Sequence, residues 1–325
     1  MGGGGAATTE LLFNQFSTDY NASLAAAGDS TSPRLYSWDS TGTSVITTKT
    51  GATPITRPEL SGPSILTLNA NTSSTVDFAR STRGPATTDP SSDVFVAMAK
   101  DAVSWASPAG GNAPTNLTKA QLLGIYNCEV TNWRQIDPSL PDATIVPVLA
   151  GHLLVDPSGV AGAAMDSSAY FLAAIGYLPW PYYGGLTDRS CVRVVQRGDQ
   201  GTDPVLHDPN AVVPYSVGRY VGQVYNGHTR PGEDAGVLTV RAINGIAAVN
   251  QTSKQINAPF AASSFAHILY NTVREQEWNT PDAHGSALRN IFSVHGWICR
   301  SASGLIRSYG FLALPSAMCG STTHS

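Results

Sequence analysis

The sequence predicts an α/β protein, and three observations support this fold class. Short runs rich in Val, Ile and Phe, typical of buried strands, alternate with segments whose apolar residues recur at helical spacing. At 325 residues, the chain is long enough for two domains or one large fold. Hydrophobic residues make up 42% of it, which is enough to fill a sizeable core and excludes general disorder.

The predicted helices and strands alternate along most of the chain. Residues 2–7 form a flexible, glycine-rich segment that leads into a helix over residues 8–24. Further helices are predicted over residues 65–71, 119–126, 167–175, 265–278, 286–294 and 304–314. Strands are predicted over residues 76–79, 94–98, 102–105, 145–149, 192–195, 212–215 and 237–240, with strand and proline-broken loop over residues 34–65.

Composition excludes two classes of partner. Nineteen Lys and Arg stand against 23 Asp and Glu, for a net charge of -4, and no basic run could neutralise a nucleic-acid backbone. No run of apolar residues reaches the length of a membrane span. Charged residues are only 13%, which with the many Ser and Thr favours a secreted protein. The glycine-rich start has no charged or apolar region typical of a signal peptide, so we expect a mature segment.

The four cysteines fit two disulfides in an oxidising compartment. None lies in a Cys-x-x-Cys pair, and neither the cysteines nor the histidines have the spacing of a metal site. Of the three possible connectivities, Cys128–Cys191 with Cys299–Cys319 is favoured because each bridge then stays within one region. Four buried thiols are the alternative.

Several motifs, in a shared order, resemble the PstS-type phosphate-binding proteins of ABC importers. Residues 75–81, Thr-Val-Asp-Phe-Ala-Arg-Ser, resemble a strand and turn whose sequence motif in this family is Asp-Phe-Ala-x-Ser. Residues 116–126, followed by Thr-Asn-Trp at 131–133, resemble its Leu-Thr helix and the turn after it. Residues 145–148 and 213–218 resemble the strand before its anion loop and its return strand, so the resemblance covers most of residues 5–250.

The resemblance implies a two-lobed fold of the periplasmic-binding-protein type II class, with a hinge and a ligand cleft between the lobes. One lobe would comprise residues 1–93 and 226–325, with both termini, and the other residues 94–225. The implied ligand is phosphate or a related small anion, and the implied partner is the membrane permease of an importer. We expect a monomer without a cofactor or metal, and a secreted, cell-surface or periplasmic location.

Family members hold the anion with backbone amides and hydroxyls at helix starts, and two such elements match early in this chain. The first places Thr8 and Thr9 at the start of the first helix, where the alternative is a plain N-cap. The second places Ser61 in a turn, where the alternative is a structural loop serine. Pro63 removes one backbone donor from that turn.

The third element follows the Asp-Phe-Ala strand. Ser81 and Thr82 match the contacting positions, with Thr82 where other members have Asp or Ser. Arg83, or Arg80, would bring a positive charge to the anion. The alternative for each arginine is a solvated surface residue.

The fourth element departs most from the family. One alignment places the contact at Ser158 and Gly159, and the other places it at Ser167 beside Asp166. The arginine of the family is missing in both, and the second alignment brings a carboxylate to an anion site, which like-charge repulsion disfavours. The framework is therefore kept while the contacting positions change, which indicates a site with an altered ligand, by divergence or by engineering.

An enzyme is a weaker alternative. His152, Asp156 and Ser158 are the residue types of a base, an orienting acid and a nucleophile, and they lie within one short segment. The Gly-x-Ser-x-Gly turn of a common hydrolase class is absent. A structural or adhesive protein that kept the lobes without a ligand is the third alternative.

Overall fold

A computed structural model describes residues 1–151, 166–177 and 190–324 of the chain. The chain forms two compact units: unit 1 comprises Met1–Lys100 and His267–Ser325, and unit 2 comprises Asp101–Ala266. The lobe bounds drawn from the resemblance differ from these and stay a prediction. In the described ranges, no helix has the length and apolar character needed to cross a membrane.

The strands are β1 (Gly2–Gly5), β2 (Tyr36–Ser37), β3 (Val45–Ile46), β4 (Ile55–Thr56), β5 (Phe78–Ser81), β6 (Asp93–Pro108), β7 (Asn116–Leu117), β8 (Val146–Ala150), β9 (Arg193–Val195), β10 (Ala211–Ser216), β11 (Leu238–Val240), β12 (Ala242–Ile243), β13 (Val249–Asn250), β14 (Gln255–Ile256), β15 (Ala266–Arg274), β16 (Leu312–Ala313) and β17 (Thr322–Thr323).

The helices are α1 (Glu10–Ala26), α2 (Ser61–Asn69), α3 (Lys119–Tyr126), α4 (Asp166–Ile175), α5 (Val217–Asn226), α6 (Ala258–Ala261), α7 (Glu275–Asn279), α8 (Ala283–Phe292), α9 (Trp297–Ser301) and α10 (Ser303–Ser308). Short 3-10 turns cover Ala7–Thr9, Trp133–Gln135 and Pro204–His207. The predicted α/β class is confirmed.

Unit 1 is a sheet with helices on both faces. Its strands lie in the order β2–β1–β5–β15–β6, with β16 and β17 antiparallel to β6. Phe78 of β5 packs with Phe13 of α1 and Phe292 of α8. Its neighbour Ala79 belongs to the cluster of Ile65 of α2, because successive side chains of a strand point to opposite faces. The starts of α1 and α2 are thereby held beside the same strand.

Unit 2 has its own sheet, in the order β6–β10–β8–β9, with β11 antiparallel to β6. β10 is antiparallel to β6 and parallel to β8. Tyr126 of α3 is buried beneath this sheet and donates to the carbonyl oxygens of Val148 and Val212 at 3.2 and 3.0 Å. Its ring meets that of Phe171 of α4 edge-on at 5.8 Å between centroids. The buried hydroxyl thus ties two neighbouring strands to one helix.

The cysteine pairing predicted from sequence is confirmed. Cys128 is bonded to Cys191 in unit 2, with their Cα atoms 5.8 Å apart. Cys299 is bonded to Cys319 in unit 1, with their Cα atoms 5.6 Å apart. Each bridge therefore lies within one compact unit.

The prediction of a flexible segment over residues 2–7 is wrong. Gly2–Gly5 is the buried strand β1, parallel to β2 and β5. A Cβ at Gly3 would lie 2.5 Å from the carbonyl oxygen of Phe78, and one at Gly4 would lie 1.8 Å from the indole nitrogen of Trp38. These glycines are therefore needed for close packing, and sequence reasoning took them for flexibility.

The other errors also come from tertiary context. The predicted helix over residues 265–278 is the strand β15 followed by the short α7, because β5 and β6 leave room for a strand between them. The strands predicted at 94–98 and 102–105 are one strand, β6. No helix was predicted where α5 lies. The helix predicted over residues 304–314 ends early, because α10 ends at Ser308 and the strand β16 follows.

Candidate ligand-binding site

The first binding element begins where β1 ends. Gly5 has φ +140°, a conformation that favours glycine, and the turn Ala7–Thr9 leads from it into α1. Thr8 and Thr9 are buried, with exposed fractions of 4% and 1%. Thr9 is the N-cap of α1, yet its side chain makes no capping bond, and its Oγ1 has no hydrogen-bond partner in the described part of the chain. The plain N-cap interpretation therefore does not account for this hydroxyl.

The second and third elements are joined directly. Ser61 is the first residue of α2, and its Oγ accepts from the backbone N–H of Thr82 at 3.0 Å. The two hydroxyl oxygens lie 3.2 Å apart, and both side chains are buried. The structure thus brings together the turn serine and the residue that follows β5, and their contact with a ligand stays a prediction.

Ser64 connects the second element to the first, and sequence reasoning missed it. It lies one turn after Ser61 and is 1% exposed. A Cβ built on Gly5 would lie 3.0 Å from Ser64 Oγ, so this hydroxyl faces the end of β1. No group within residues 1–151, 166–177 and 190–324 hydrogen-bonds to Ser64 Oγ. The only available signal was its helical spacing from Ser61.

The predicted charge of Arg83 is already paired. Its guanidinium donates to both carboxylate oxygens of Asp89, at 2.5 and 2.8 Å, and to the carbonyl oxygen of Gly84 at 2.9 Å. Ser81 Oγ donates to the carbonyl oxygen of Arg83 at 2.8 Å and accepts from its N–H at 3.2 Å. Ser81 and Arg83 therefore shape the turn after β5, and their contact with a ligand stays a prediction.

Arg80 is not a surface residue, since it is 0% exposed. Its guanidinium lies over the ring of Phe13, 5.8 Å from the centroid, on the α1 side of the sheet. It donates to carbonyl oxygens of the first element and of the segment after β2. The solvated-surface interpretation is therefore wrong for this residue.

Unit 2 holds the described part of the fourth element. Ser158 and Gly159, and His152 and Asp156 of the enzyme alternative, lie outside the described residues. Ser167, in the first turn of α4, donates through Oγ to Asp199 Oδ2 at 2.8 Å. A carboxylate of the protein itself thus accepts the hydroxyl proton that a ligand was expected to receive.

The same carboxylate reaches the start of α5. The backbone N–H of Ser216, the N-cap of α5, donates to Asp199 Oδ1 at 2.7 Å. Sequence reasoning missed Asp199 because it lies 32 residues from Ser167, and no local pattern relates the two.

A second buried carboxylate, Asp101, meets the same helix start. Asp101 Oδ2 accepts from Ser216 Oγ at 2.5 Å, and Oδ1 accepts from the N–H groups of Gly218 and Ala102 at 2.9 and 2.7 Å. Burial raises the pKa of Asp101 to about 7, and the nearby charge of Asp199 contributes to this rise. The three hydrogen bonds to the carboxylate act in the opposite direction and lower this pKa. An acid in the interior of the largely apolar strand β6 was the signal that could have found it.

The titratable side chains offer little for a metal. Over the described ranges, no three His, Cys, Asp or Glu residues lie close enough together to hold a metal ion. The groups that converge in unit 1 are Ser and Thr hydroxyls at helix starts, which suit an anion better than a cation.

Comparisons with known proteins relate this geometry to solved folds. Residues 18–152 match the family model of a PBP superfamily domain. No curated protein matches the sequence. Among solved structures, a putative phosphate ABC transporter substrate-binding protein with bound phosphate from Clostridium perfringens is 13% identical, with a TM-score of 0.62, over 97% of this chain and 99% of that one.

Two further structures agree. An ABC-type phosphate transport receptor from Vibrio cholerae is 16% identical, with a TM-score of 0.59, over 97% of this chain and 99% of that one. The ancestral soluble variant of the human phosphate binding protein is 15% identical, with a TM-score of 0.57, over 98% and 91%. At these identities the likeness shows the fold alone. The predicted type II fold of periplasmic binding proteins, and the structural resemblance to the phosphate receptors, are confirmed.

Proposed function

We propose that this chain, with the fold of the phosphate receptors of ABC importers, is a solute-binding protein that binds phosphate or a related small oxyanion at the starts of α1 and α2. The observation that carries the proposal is a pair of buried hydroxyls, those of Thr9 and Ser64. They lie at two helix starts and have no hydrogen-bond partner in the described part of the chain. The resemblance assigns Thr9 to the ligand, and Ser64 lies one helical turn from Ser61, which it also assigns.

The free-energy cost of burying the hydroxyls of Thr9 and Ser64 favours a ligand that accepts hydrogen bonds from them. A buried hydroxyl without a partner destabilises a folded protein by about 1–3 kcal/mol, so a ligand that accepted from both hydroxyls would offset this cost. A tetrahedral oxyanion presents several acceptor oxygens and can receive protons from hydroxyls and amides together. The partial positive charge at the starts of α1, with 17 residues, and α2, with 9, also favours an anion.

We expect the affinity to be modest. Arg83 is paired with Asp89, so its charge is largely compensated within the protein. A charge-assisted hydrogen bond contributes about 1.5–3 kcal/mol, so each one lacking weakens binding about 10- to 100-fold. The ligand would then be held chiefly by neutral donors and by the helix ends.

One observation favours a second candidate, an altered pocket for a less charged and more apolar small molecule. Asp199 already accepts from Ser167 at 2.8 Å and from the N–H of Ser216 at 2.7 Å. An anion brought to Ser167 would meet the repulsion of this carboxylate. Divergence or engineering of the scaffold would both lead to such a pocket.

The remaining assignments extend the same proposal. The phosphate receptors of ABC importers deliver their ligand to a membrane permease, and we propose such a permease as the partner here. The protein would then act as a monomer outside the cytoplasm, secreted, on the cell surface or in the periplasm. The two disulfides support this, because disulfides persist in oxidising compartments.

Titration calorimetry with phosphate, sulfate and arsenate tests the proposal. We expect saturable binding of at least one oxyanion, and an affinity about tenfold lower for Ser64→Ala. Ser17→Ala is the matched control, because Ser17 is a buried helix serine whose Oγ donates within α1 to the carbonyl oxygen of Phe13. Absence of binding for all three anions would overturn the oxyanion assignment and favour the second candidate.

A further inference from the structure

We propose that Arg80 is a positioning residue of the unit 1 site: its guanidinium orients the backbone at the start of α1 toward the ligand without contacting the ligand itself. This inference rests on the proposed function. The residues concerned are Arg80 on β5 and Gly5, Ala6 and Ala7 between β1 and α1.

The guanidinium of Arg80 binds the two peptide carbonyls that precede the turn Ala7–Thr9. Nη2 donates to the carbonyl oxygen of Gly5 at 3.2 Å, and Nε donates to that of Ala6 at 3.4 Å. The backbone of Arg80 adds a third bond, since its carbonyl oxygen accepts from the N–H of Ala6 at 3.2 Å. One residue therefore fixes two successive peptide groups, 74 and 75 residues away in sequence.

The orientation of these carbonyls determines where the next amide points. The C=O and N–H of a trans peptide point in opposite directions. Because the carbonyl of Ala6 is directed at the guanidinium of Arg80, the N–H of Ala7 points away from that guanidinium. Ala7 begins the turn that carries Thr8 and Thr9 into α1, so the amides of the helix start are directed by this clamp.

This clamp, the contact of the Arg80 guanidinium with the carbonyls of Gly5 and Ala6, requires β1 and β5 to lie very close together. A Cβ at Gly5 would lie 2.4 Å from the carbonyl oxygen of Arg80, and Gly5 has φ +140°. Any other residue at this position would separate β1 from β5. Gly5 and Arg80 are therefore two parts of one arrangement.

An arginine suits this role better than a lysine. Its guanidinium also donates from Nη1 to the carbonyl oxygen of Trp38 at 3.1 Å and to Ser37 Oγ. A planar fork with five N–H donors can serve these four acceptors on two segments, whereas an ammonium has three donors at one point. The flat group also packs over the ring of Phe13.

The position follows from strand geometry. Side chains alternate along β5, so Arg80 lies on the same face as Phe78, toward α1, while Ala79 faces α2. Thr82 follows two residues after Arg80 and bonds to the start of α2. β5 thus reaches the start of α1 through a buried cation and the start of α2 through a backbone amide.

The test compares Arg80→Lys and Arg80→Met with Ser37→Ala, which removes a guanidinium partner outside the turn. Calorimetry measures the affinity for phosphate, and urea denaturation measures stability. We expect Ser37→Ala to bind within about twofold of the unaltered protein. Arg80→Met should lose about tenfold or more, and Arg80→Lys should recover part of that loss by donating to one carbonyl. Equal affinities for all four proteins would overturn the positioning role.

A measurement on the unaltered chain keeps the inference testable where the Arg80 variants do not fold. In a 15N-labelled sample titrated with phosphate, the amide signal of Ala7 should shift in proportion to the bound fraction. Saturable phosphate binding without such a shift would overturn the inference and leave the proposed function standing. A chain that binds no oxyanion would overturn the proposed function, and the role of Arg80 with it.

Discussion

The backbone amide of Thr82 donates to the hydroxyl oxygen of Ser61 at 3.0 Å, which joins the end of β5 to the first residue of α2 across 21 residues. The hydroxyls of the same two residues lie 3.2 Å apart. Ser61 Oγ therefore accepts from the amide of Thr82, and either of the two hydroxyls can donate to the other. The pair thus joins the end of β5 to the start of α2.

Ser61→Ala should impair both stability and binding. The variant leaves the buried amide of Thr82 without its acceptor, so the free energy of unfolding should fall by about 1–3 kcal/mol. The affinity for phosphate should fall about tenfold or more, by calorimetry. Thr82→Ser, which keeps the hydroxyl and the amide, is the control and should stay within about threefold. An affinity unchanged in Ser61→Ala would remove this serine from the site.

Thr9→Val should stabilise the ligand-free protein and weaken binding. Removing a buried hydroxyl that has no partner in the described part of the chain should raise the free energy of unfolding by about 1 kcal/mol. The same change removes a donor to the oxyanion, so the affinity should fall about tenfold. The two effects have opposite signs, which a general loss of fold would not produce.

Thr272→Val is the matched control for that variant. Thr272 lies on β15, is 0% exposed, and its Oγ1 also has no partner among the residues described. Denaturation should show the same gain in stability, while calorimetry should show an unchanged affinity. An equal loss of affinity in both variants would mean that Thr9 acts through packing and not as a donor.

The pKa of Asp101 predicts how stability depends on pH in unit 2. Burial raises this pKa to about 7, against about 3.9 in an unfolded chain. Between these values the folded state keeps a proton that the unfolded state releases. The contribution of Asp101 to stability is therefore full below about pH 4 and is lost as the pH rises to 7, by a few kcal/mol at most.

Urea denaturation at several pH values between 4 and 8 measures this effect. Asp101→Asn should remove most of the decline, because its amide does not titrate. Asp199→Asn should end the decline at a lower pH, because the nearby charge helps to raise the pKa of Asp101 and its removal lowers that pKa. Asp142→Asn, at a side chain 64% exposed, is the surface control. An undiminished decline in Asp101→Asn would contradict the prediction.

The two disulfides should differ in their contribution to stability. Cys128–Cys191 spans 63 residues and Cys299–Cys319 spans 20. Loop-closure entropy predicts about 4 kcal/mol for the longer loop and about 3 kcal/mol for the shorter. Serine pairs at each bridge, compared by urea denaturation under oxidising conditions, should show the larger loss for Cys128 and Cys191. A larger loss at the shorter loop would show that effects other than chain entropy dominate.

Local patterns predicted much of this protein. The alternation of strands and helices gave the α/β class, and the motifs from residue 75 to residue 218 gave the fold type that solved structures share. The cysteine positions predicted both bridges, because pairing each cysteine with its neighbour in sequence closes shorter loops than the other two connectivities would. These features could be predicted because periodicity, turn residues and motif order are properties of consecutive residues.

Only the tertiary structure determined the role of particular side chains. Gly2–Gly5 became a buried strand through its closeness to Phe78 and Trp38, and Arg80 became a buried clamp on carbonyls 74 and 75 residues away. Asp199 met the hydroxyl of Ser167 across 32 residues. Partners at such separations meet only when the sheet has formed, so no window of consecutive residues records them. The sequence alone determined the type of fold, and long-range packing decided which side chains lie together at the helix starts.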